Sequence, residues 1–364
     1  MKGSSELMGI LSKYLPWNKA RLSCFVKMLL ALFVTRTVNL SELAVAMSSK
    51  AQVSSRYRRL QRFFSEHEFN YDMIARFIFH LFFSKKRVYL TIDRTNWYWG
   101  KSKINIFMLA ITYEGVAIPI LWCLLNKAGN ATGSEHSALI ARFITLFGSG
   151  CIEGVLGDRE FGNRYLFSFL NRLKIPFYIR IKDGSSLKFK NKKWCSVYDI
   201  FHRLNNNTTY FFPMVVHLYG EKVYLTGARS ERGELMVIAS NQPNPQAVSI
   251  YLRRWEIETL FSSLKTKGFR FEETHLTDQK RINKMMALLA IAFAWAHKVG
   301  EWRAIKKPIR FAKHKESTRP QNSFFRYGLD HIRDLTINSY RSVYQLKRII
   351  RLLKLPDNLL WEAV

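Results

Sequence analysis

The sequence predicts an α/β protein in which a mixed sheet with a β-rich insertion is flanked by helical regions at both ends of the chain. Three observations support this fold class. The two ends show apolar residues at helical spacing, the centre alternates strand-like with helix-like segments, and an aromatic, β-branched stretch interrupts that alternation. At 364 residues and 48% hydrophobic content, the chain can bury a core in two or three domains. The predicted regions are residues 1–83 (helical, helix-turn-helix-like), 84–182 with 244–277 (sheet), 183–243 (insertion) and 278–364 (helical and basic).

The N-terminal helical region contains a strongly basic predicted helix. Its sequence RYRRLQRFF interleaves arginines with aromatic and aliphatic residues, and two shorter predicted helices precede it. A helix-turn-helix DNA reader requires such an arrangement, and a stripe of arginines on one helix is the footprint of phosphate contact. The alternative is a small helical bundle whose last helix has a solvated basic face. We expect DNA-end recognition by four residues, Arg56, Arg58, Arg59 and Arg62.

The central region is predicted to form a mixed sheet that starts with a three-stranded meander. The predicted elements are strands 87–93, 105–112 and 116–125, helix 134–147, strand 154–158, helix 164–174 and strand 176–182. Alternation of this kind implies helices packed on the faces of the sheet. The order of elements, with three strands first, matches the ribonuclease H-like arrangement. Residues 183–243 then break the pattern with turn signals and further strand-like segments, which predicts the β-rich insertion.

The segment from Tyr251 to Lys265, YLRRWEIETLFSSLK, carries the most informative pattern. We expect it to lie on one helix over residues 245–268. At about 100° per residue, such a helix places Tyr251, Arg254, Glu258 and Lys265 within an arc of about 60°. One carboxylate flanked by phosphate-seeking donors indicates a phosphodiester held beside a metal ion. Alternatively the charges are ordinary surface pairs, and the pair of Arg254 with Glu258 would contribute only about 0.2–0.5 kcal/mol.

Two aspartates upstream are the expected partners of Glu258. Asp93 and Asp158 each end a predicted strand, and ligands of open α/β sheets collect outside the carboxyl ends of strands. Three converging carboxylates would offer the oxygen ligands that Mg²⁺ or Mn²⁺ prefers, and two such ions can serve phosphodiester chemistry. Position in the chain or helical angle disfavours the rival acids Glu160, Asp183, Asp199 and Glu256.

The charge balance points to a polyanionic partner. The chain has 57 lysines and arginines against 27 acids, a net charge of +30. Because the basic residues are spread along the chain, nucleic acid is favoured over a membrane surface. The basic segment 306–319 could be a solvated linker or a DNA contact. The sequence shows no signal-peptide pattern or membrane span, and its four scattered cysteines form no CxxC, so we expect a cytoplasmic protein without zinc or a disulfide framework.

These residues resemble a known family. The spacing Y-x2-R-x3-E-x6-K, from Tyr251 to Lys265, is similar to the signature of bacterial insertion-sequence transposases of the IS-four type, within the DDE superfamily. The block GVLGDREFG around Asp158 and the block YLTIDRTNWYWG around Asp93 resemble the segments that carry that family's two aspartates. The resemblance extends over roughly residues 20 to 300.

The resemblance implies a ribonuclease H-like catalytic domain with a metal-binding triad that holds two Mg²⁺ (or Mn²⁺) ions. The implied catalytic and metal-binding residues are Asp93, Asp158 and Glu258. The implied DNA-phosphate-binding residues are Tyr251, Arg254 and Lys265.

The resemblance also implies cut-and-paste transposition by a homodimer on paired element ends, at the bacterial nucleoid. The double-stranded DNA partners would be the terminal inverted repeats and the target. Relatives cleave through a DNA hairpin and flip a base onto an aromatic residue of the insertion. Trp194 is the only tryptophan of this insertion and is our candidate for that stacking, with Tyr210, Phe211 and Phe212 as competitors.

We therefore predict a DNA transposase that cleaves insertion-sequence ends with the help of metal ions and transfers the freed strand to target DNA. One alternative is a nuclease that uses the same triad without strand transfer. The other is a non-catalytic DNA-binding regulator derived from a transposase.

Overall fold

The computed structural model describes residues 3–84, 86–125, 132–190, 193–314, 317–338 and 343–356. The helices are α1 (Ser4–Leu11), α2 (Lys19–Thr35), α3 (Leu40–Ala46), α4 (Val53–Glu66), α5 (Tyr71–Phe83), α6 (Gly133–Phe147), α7 (Arg164–Arg172), α8 (Val197–Phe201), α9 (Ala247–Leu252), α10 (Trp255–Leu264), α11 (Gln279–Lys306), α12 (Phe324–Ile337) and α13 (Val343–Ile350). The strands are β1 (Val88–Trp99), β2 (Ser102–Tyr113), β3 (Val116–Leu124), β4 (Ile152–Gly157), β5 (Phe177–Ile181), β6 (Ser186–Lys188), β7 (Trp194–Ser196), β8 (Thr208–Leu218), β9 (Glu221–Arg229), β10 (Leu235–Ser240), β11 (Phe311–His314) and β12 (Ser317–Pro320).

The chain forms two compact units that interleave along the sequence. The helical unit comprises Met1–Ser84, Trp97–Ile104 and Phe261–Val364, and the sheet unit comprises Lys85–Asn96 and Asn105–Leu260. The helical regions from the two ends of the chain fall into one unit, and the β-rich insertion falls into the same unit as the central sheet. The four regions expected from the sequence stay a prediction of domain organisation, because compactness groups them differently.

The helical unit is built around α11, which is buried along most of its length. The middle of this 28-residue helix, from Met285 to Ala296, is apolar and fully buried, so neighbouring helices cover it on several sides. Asp278 caps its first turn by accepting a hydrogen bond from the N–H of Arg281 at 2.9 Å. Helix α12 approaches α11 closely, because Gly300 and Gly328 each face backbone atoms where a Cβ would not fit. The helical character expected at both ends of the chain is confirmed.

A single ten-stranded sheet runs through the sheet unit in the order β3-β2-β1-β4-β5-β10-β9-β8-β6-β7. Strand β1 pairs in parallel with β4, β4 pairs in parallel with β5, and β2 is antiparallel to β3. A three-stranded meander followed by two parallel strands is the ribonuclease H-like topology, so the predicted fold class is confirmed. Helix α9 packs on β5 and β10, and α6 packs on α7.

The β-rich insertion extends the central sheet instead of forming a sheet of its own. Its last strand, β10, pairs antiparallel with β5, and β9 and β8 follow in turn. The short strands β6 and β7 form a hairpin at the far edge. The pairing of β8 with β9 shifts register between Phe212 and Val216, which marks a bulge in the exposed part of β8.

The strand that carries Asp93 is longer than predicted. Strand β1 continues beyond Asp93 to Trp99, so the carboxylate does not lie at its end. What ends near Asp93 is the parallel pairing with β4, whose last partners are Ile92 and Gly157. Asp93 therefore lies where the parallel strands β1 and β4 separate, although β1 continues.

The predicted single helix over residues 245–268 is wrong, because the structure divides it into α9 and α10. Around the break, the N–H of Arg254 donates to the carbonyl oxygen of Tyr251 at 2.8 Å, and the N–H of Ile257 donates to that of Arg254 at 3.0 Å. Hydrogen bonds between residues three apart make a tighter turn than the α-helix. The tight turn lies at Arg254, whose side chain donates hydrogen bonds to Asp93, Tyr251 and Glu258.

Candidate active site

The two predicted aspartates lie side by side on neighbouring parallel strands. Ile92 pairs with Gly157 in the β1–β4 ladder, and the next residues along the chain are Asp93, within β1, and Asp158, directly after β4. Asp158 caps a short 3-10 turn by accepting the N–H of Arg159 at 2.7 Å. Asp93 accepts the N–H of Arg94 at 2.7 Å in the same way. Both carboxylates are thus held by their own backbone at the point where β1 and β4 separate.

Arg254 joins Asp93 to Glu258. Its Nη1 donates to Asp93 Oδ2 at 3.0 Å and its Nη2 donates to Glu258 Oε1 at 2.9 Å. Its Nε donates to the hydroxyl of Tyr251 at 3.1 Å, and that hydroxyl donates to Asp158 Oδ1 at 3.3 Å. One hydrogen-bonded network therefore brings together all three carboxylates that the sequence selected, and Arg254 is its centre.

Burial raises the pKa of two members of this network, Asp93 and Tyr251. It raises the pKa of Asp93 to about 6, against the opposing hydrogen bond from the Arg94 N–H and the charge of Arg254, while the nearby carboxylates of Glu160 and Asp158 raise that pKa further. Burial also raises the pKa of Tyr251 to about 12, so its phenol keeps the proton that it donates. The charge of Asp93 therefore changes near neutral pH.

The rival acids have structural partners. Glu160 forms a bidentate pair with Arg94, with both N–O distances at 2.7 Å. The carboxylate of Glu256 accepts the N–H of Tyr113, and burial raises the pKa of this group. Asp199 forms a capping box at the start of α8. These three carboxylates stabilise the fold in ways that the sequence argument did not foresee.

The carboxylates offer suitable chemistry for a divalent cation, although they are not arranged around a single point. Among the described residues, no group of three His, Cys, Asp or Glu side chains is placed to hold a metal ion. Arg254 instead supplies positive charge between Asp93 and Glu258. Three carboxylates joined in one network are the hard oxygen donors that Mg²⁺ and Mn²⁺ prefer. The Glu258 side chain is 42% exposed, so solvent reaches this end of the network.

The three residues expected to bind phosphate are engaged within the protein. Tyr251 and Arg254 are only 1% and 3% exposed. Lys265, in the helical unit, pairs with Glu272 at 2.8 Å and lies 5.2 Å from the centre of the Trp97 ring. The structure brings Tyr251, Arg254 and Glu258 into one network without Lys265, and the helical angle could not show that Tyr251 and Arg254 are buried. Their predicted contact with DNA stays a prediction.

Sequence reasoning missed a basic cavity in the sheet unit. The cavity has a volume of about 830 Å³, and its charged lining residues are three cations and two acids: Arg159, Arg180, Lys182, Glu160 and Asp183. Arg180 is near enough to Tyr251 to oppose the rise of its pKa, so the cavity borders the carboxylate network. A signal was present in the sequence. Arg180 and Lys182 alternate along β5 and its end in the segment PFYIRIK, at the spacing that directs side chains to one face.

The insertion presents Trp194 to solvent. Its side chain is 63% exposed at the start of β7, and the Nζ of Lys188 lies 5.5 Å from the ring centre. Among the competitors, Phe211 stacks on Tyr224 and Phe212 packs near Phe189, whereas Tyr210 is 45% exposed, less than Trp194. An exposed indole beside a lysine has the features needed for stacking on a base.

The four arginines of α4 divide into two kinds. Arg56 donates to the carbonyl oxygens of Val45 and Met47, and Arg59 donates to that of Ala20 at 2.8 Å. Both therefore join α4 to neighbouring segments of the helical unit. Arg58 and Arg62 are exposed. DNA recognition by this helix stays a prediction, and the exposed pair is better placed for it.

A comparison with protein families identifies the family of this chain. The family described as the transposase DDE domain matches residues 85–295, which is more than half of the chain. A cryo-EM structure of the piggyBac transposase synaptic complex with hairpin DNA is similar with 12% identity and a TM-score of 0.46, over 96% of this chain and 84% of that one. At that identity and TM-score, the likeness carries no information about function. No match was found among curated proteins.

Within the described residues, no single helix has the length and apolar character to cross a membrane, and only the sharply bent pair α2 and α3 meets those criteria together. Proteins with a transposase DDE domain generally use divalent metal ions and act on DNA. With the family matched across the strands that carry both aspartates and the segment that carries Glu258, the chain belongs to the transposase DDE domain family and is a DNA transposase.

Proposed function

We propose that Asp93, Asp158 and Glu258 are the catalytic carboxylates with which this transposase cleaves the ends of a bacterial insertion sequence of the IS-four type. The observation that supports this assignment is the single network through Arg254 and Tyr251, which connects all three carboxylates. Phosphodiester chemistry asks the protein mainly for positioning and for stabilisation of charge. A set of interlocked carboxylates beside a basic cavity meets both demands.

The carboxylates would hold two Mg²⁺ ions, with Mn²⁺ as a substitute. When bound, such ions supply activation of the attacking oxygen and stabilisation of the leaving oxygen. Asp93 must be ionised to act as a ligand, and with a pKa of about 6 it is ionised at neutral pH. Tyr251 would hold the orientation of Asp158, and Arg254 would hold Asp93 and Glu258 apart at a defined spacing.

The reaction proceeds in two kinds of step on the DNA. A water oxygen forms a bond to the phosphorus at the element end, and the bond from phosphorus to the 3′ oxygen breaks, which leaves a 3′-hydroxyl and a 5′-phosphate. The 3′-hydroxyl then forms a bond to a target phosphorus and releases a target 3′-hydroxyl. If the freed 3′-hydroxyl first attacks the opposite strand, the product is the hairpin of a cut-and-paste reaction. Trp194 would then stack on the base that is flipped beside this hairpin.

We propose that Arg159, Arg180 and Lys182 bind DNA phosphates beside the carboxylates. All three line the cavity described above. Among the described residues, no carboxylate pairs with any of these three side chains. Tyr251 and Arg254 remain candidates for phosphate contact only if they exchange a hydrogen bond within the protein for one to DNA. Lys265 would have to release Glu272 in the same way.

The wider assembly is also part of the proposal. Arg58 and Arg62 would contact the terminal inverted repeat, with Arg56 and Arg59 supporting their helix. Two copies of the chain would hold paired element ends and the target duplex at the bacterial nucleoid. The net charge of +30 supports partners of this kind.

The test compares end cleavage and strand transfer by three proteins. A labelled duplex that carries the element end is incubated with Mg²⁺, target DNA and either the wild type, Asp158→Asn or Asp278→Asn. Asp278 caps α11, a role that Asn fills equally well, so its variant controls for removal of one acid. We expect Asp158→Asn to bind the end and to give neither product, while Asp278→Asn resembles the wild type. Cleavage by Asp158→Asn at the wild-type rate would refute the assignment, and cleavage without strand transfer by the wild type would favour a nuclease.

A further inference from the structure

Helix α11 ends in a group of cations that lie on aromatic rings. The Nζ of Lys306 is 5.4 Å and the Cζ of Arg348 is 5.2 Å from the ring centre of Trp302. The Cζ of Arg303 is 4.3 Å from the ring centre of Tyr327. We call Trp302, Arg303, Lys306, Tyr327 and Arg348 the Trp302 cluster. It brings together α11, α12 and α13 within the helical unit.

The cations of this cluster lack acidic partners within the described part of the chain. No carboxylate lies within ion-pair distance of Arg303, Lys306 or Arg348 there. Other cations of the same helices are paired, since Lys298 lies 3.1 Å from Glu301 and Arg326 lies 2.7 Å from Asp330. The aromatic rings therefore orient the cluster's cations without cancelling their charge.

The surroundings add to the positive field and keep it accessible. Lys306 and Arg348 are exposed, as are Lys307 and Lys347 next to them in the chain. His331 stacks on Trp302 with ring centres 6.3 Å apart, and burial together with the charge of Arg303 lowers its pKa to about 4. At neutral pH His331 is a neutral spacer, so the charge of the cluster comes from lysine and arginine alone.

We infer that the Trp302 cluster is a second DNA-contacting surface, which binds the phosphates of duplex DNA without reading its sequence. Uncompensated cations at fixed positions are suited to a polyanion, and this enzyme acts on one. The cluster presents cations held on ring faces, and such charges suit phosphates, which carry no sequence information. Of the two interpretations of the basic segment 306–319, the inference favours DNA contact at its first residue, Lys306. The inference concerns the helical unit and does not depend on the proposed roles of the carboxylates.

The experiment measures how salt weakens binding to a short duplex that lacks the element end. The double variant Lys306→Gln/Arg348→Gln removes two exposed cations that have no acidic partner in the described part of the chain. The control Lys298→Gln/Arg326→Gln removes two cations that have acidic partners. Binding is followed by fluorescence anisotropy from about 50 to 200 mM NaCl, because log Kd varies with log salt by about 0.9 for each phosphate contact. Circular dichroism confirms that each variant is folded.

We expect the slope of the first variant to fall by about 2 and its affinity at low salt to fall about tenfold or more. The control should keep the wild-type slope. The readout is binding to a duplex without an element end, so the result is separate from the test of the catalytic assignment. An unchanged slope in Lys306→Gln/Arg348→Gln would overturn the inference. It would also be overturned if this variant kept its DNA affinity but lost binding to vesicles of anionic phospholipid, since that result would assign the surface to a membrane.

Discussion

Arg254→Gln tests whether the carboxylates depend on one another through Arg254. The substitution removes the guanidinium that binds Asp93, Glu258 and the hydroxyl of Tyr251. It leaves three carboxylates near one another, with Asp93 largely buried. We expect a loss of stability in the absence of metal ions, and we expect that loss to depend on pH because Asp93 titrates in the range of the experiment.

The structure sets the magnitude of this effect. The side chains of Arg254 and Asp93 are 4% and 19% exposed, and removing one partner of a buried ion pair costs about 3–5 kcal/mol. The bond to Glu258 adds at most about 1 kcal/mol because that carboxylate is 42% exposed. We take the lower end for Asp93, so the total is about 3–4 kcal/mol when Asp93 is ionised. When Asp93 is protonated, only hydrogen bonds are lost, at about 1–2 kcal/mol.

The sign of the pH effect follows from the direction of the pKa shift. Burial raises the pKa of Asp93 to about 6, so this carboxyl favours the folded state while it is protonated. That contribution is fully present below its ordinary pKa and is lost as the pH rises through about 6. In the wild type the charge of Arg254 limits the loss. In Arg254→Gln this charge is absent, so the difference in unfolding free energy between the two proteins grows with pH.

The assay is urea unfolding followed by circular dichroism, in EDTA, at about pH 5 and about pH 8. The control is Arg253→Gln, whose guanidinium is half-exposed and 3.8 Å from Glu256, so it should cost at most about 1 kcal/mol at either pH. If Arg254→Gln costs no more than this control, or costs the same at both pH values, Arg254 does not hold the carboxylates as described.

Three further predictions concern DNA recognition and the binding of metal ions. Arg62→Gln should reduce the salt slope for binding to element-end DNA by about 1 without changing thermal stability. Arg59→Gln should instead cost about 1–2 kcal/mol of stability, because it loses a hydrogen bond to a backbone carbonyl. Equal effects of the two variants on DNA binding would contradict the division of these arginines into two kinds. Trp194→Ala should weaken binding to a duplex with one unpaired base by about 1–3 kcal/mol, with Tyr198→Ala as the exposed aromatic control and 2-aminopurine fluorescence as the readout. Mn²⁺ affinity measured by calorimetry should fall about tenfold per pH unit below about 6, where Asp93 takes up a proton, and an affinity that stays constant to about pH 5 would argue against Asp93 as a ligand.

The placement of the aspartates shows what the sequence can predict. Short β-branched segments next to turn residues identified β4 and the first part of β1, and the order of elements identified them as neighbours in a ribonuclease H-like sheet. Asp158 follows directly from this. The end of β1 could not be predicted in the same way, because the strand continues to Trp99 with the same composition while its partner changes. Pairing between distant strands decides where the parallel ladder stops.

The motif segment shows where local periodicity fails. A helix broken at residues 253–254 and an unbroken one have nearly the same apolar spacing, and the sequence cannot distinguish them. Burial of Arg254 against Asp93 is a contact between residues 161 positions apart, which local patterns do not contain. For the same reason, the sequence does not distinguish Arg56 from Arg58 on one helix, although Arg56 donates to backbone carbonyls and Arg58 is exposed.

Local sequence patterns likewise could not predict that the insertion joins the central sheet. Its strands were recognised from aromatic and β-branched residues. That β10 would pair with β5 depends on the register of Val237 opposite Ile181, a choice made in three dimensions. The result is one continuous sheet that places Arg180 of β5 between the carboxylate network and the insertion.

The most direct test of the central claim is to count the divalent ions held by the three carboxylates. Mn²⁺ is titrated into the protein bound to element-end DNA at about pH 8, where Asp93 is ionised, and free Mn²⁺ is measured by electron paramagnetic resonance. We predict two bound ions for the wild type and for Asp278→Asn, and the loss of at least one from both Asp158→Asn and Glu258→Gln. If both active-site variants bind Mn²⁺ with the stoichiometry and affinity of the wild type, the metal ions are held elsewhere and the assignment of Asp93, Asp158 and Glu258 is wrong.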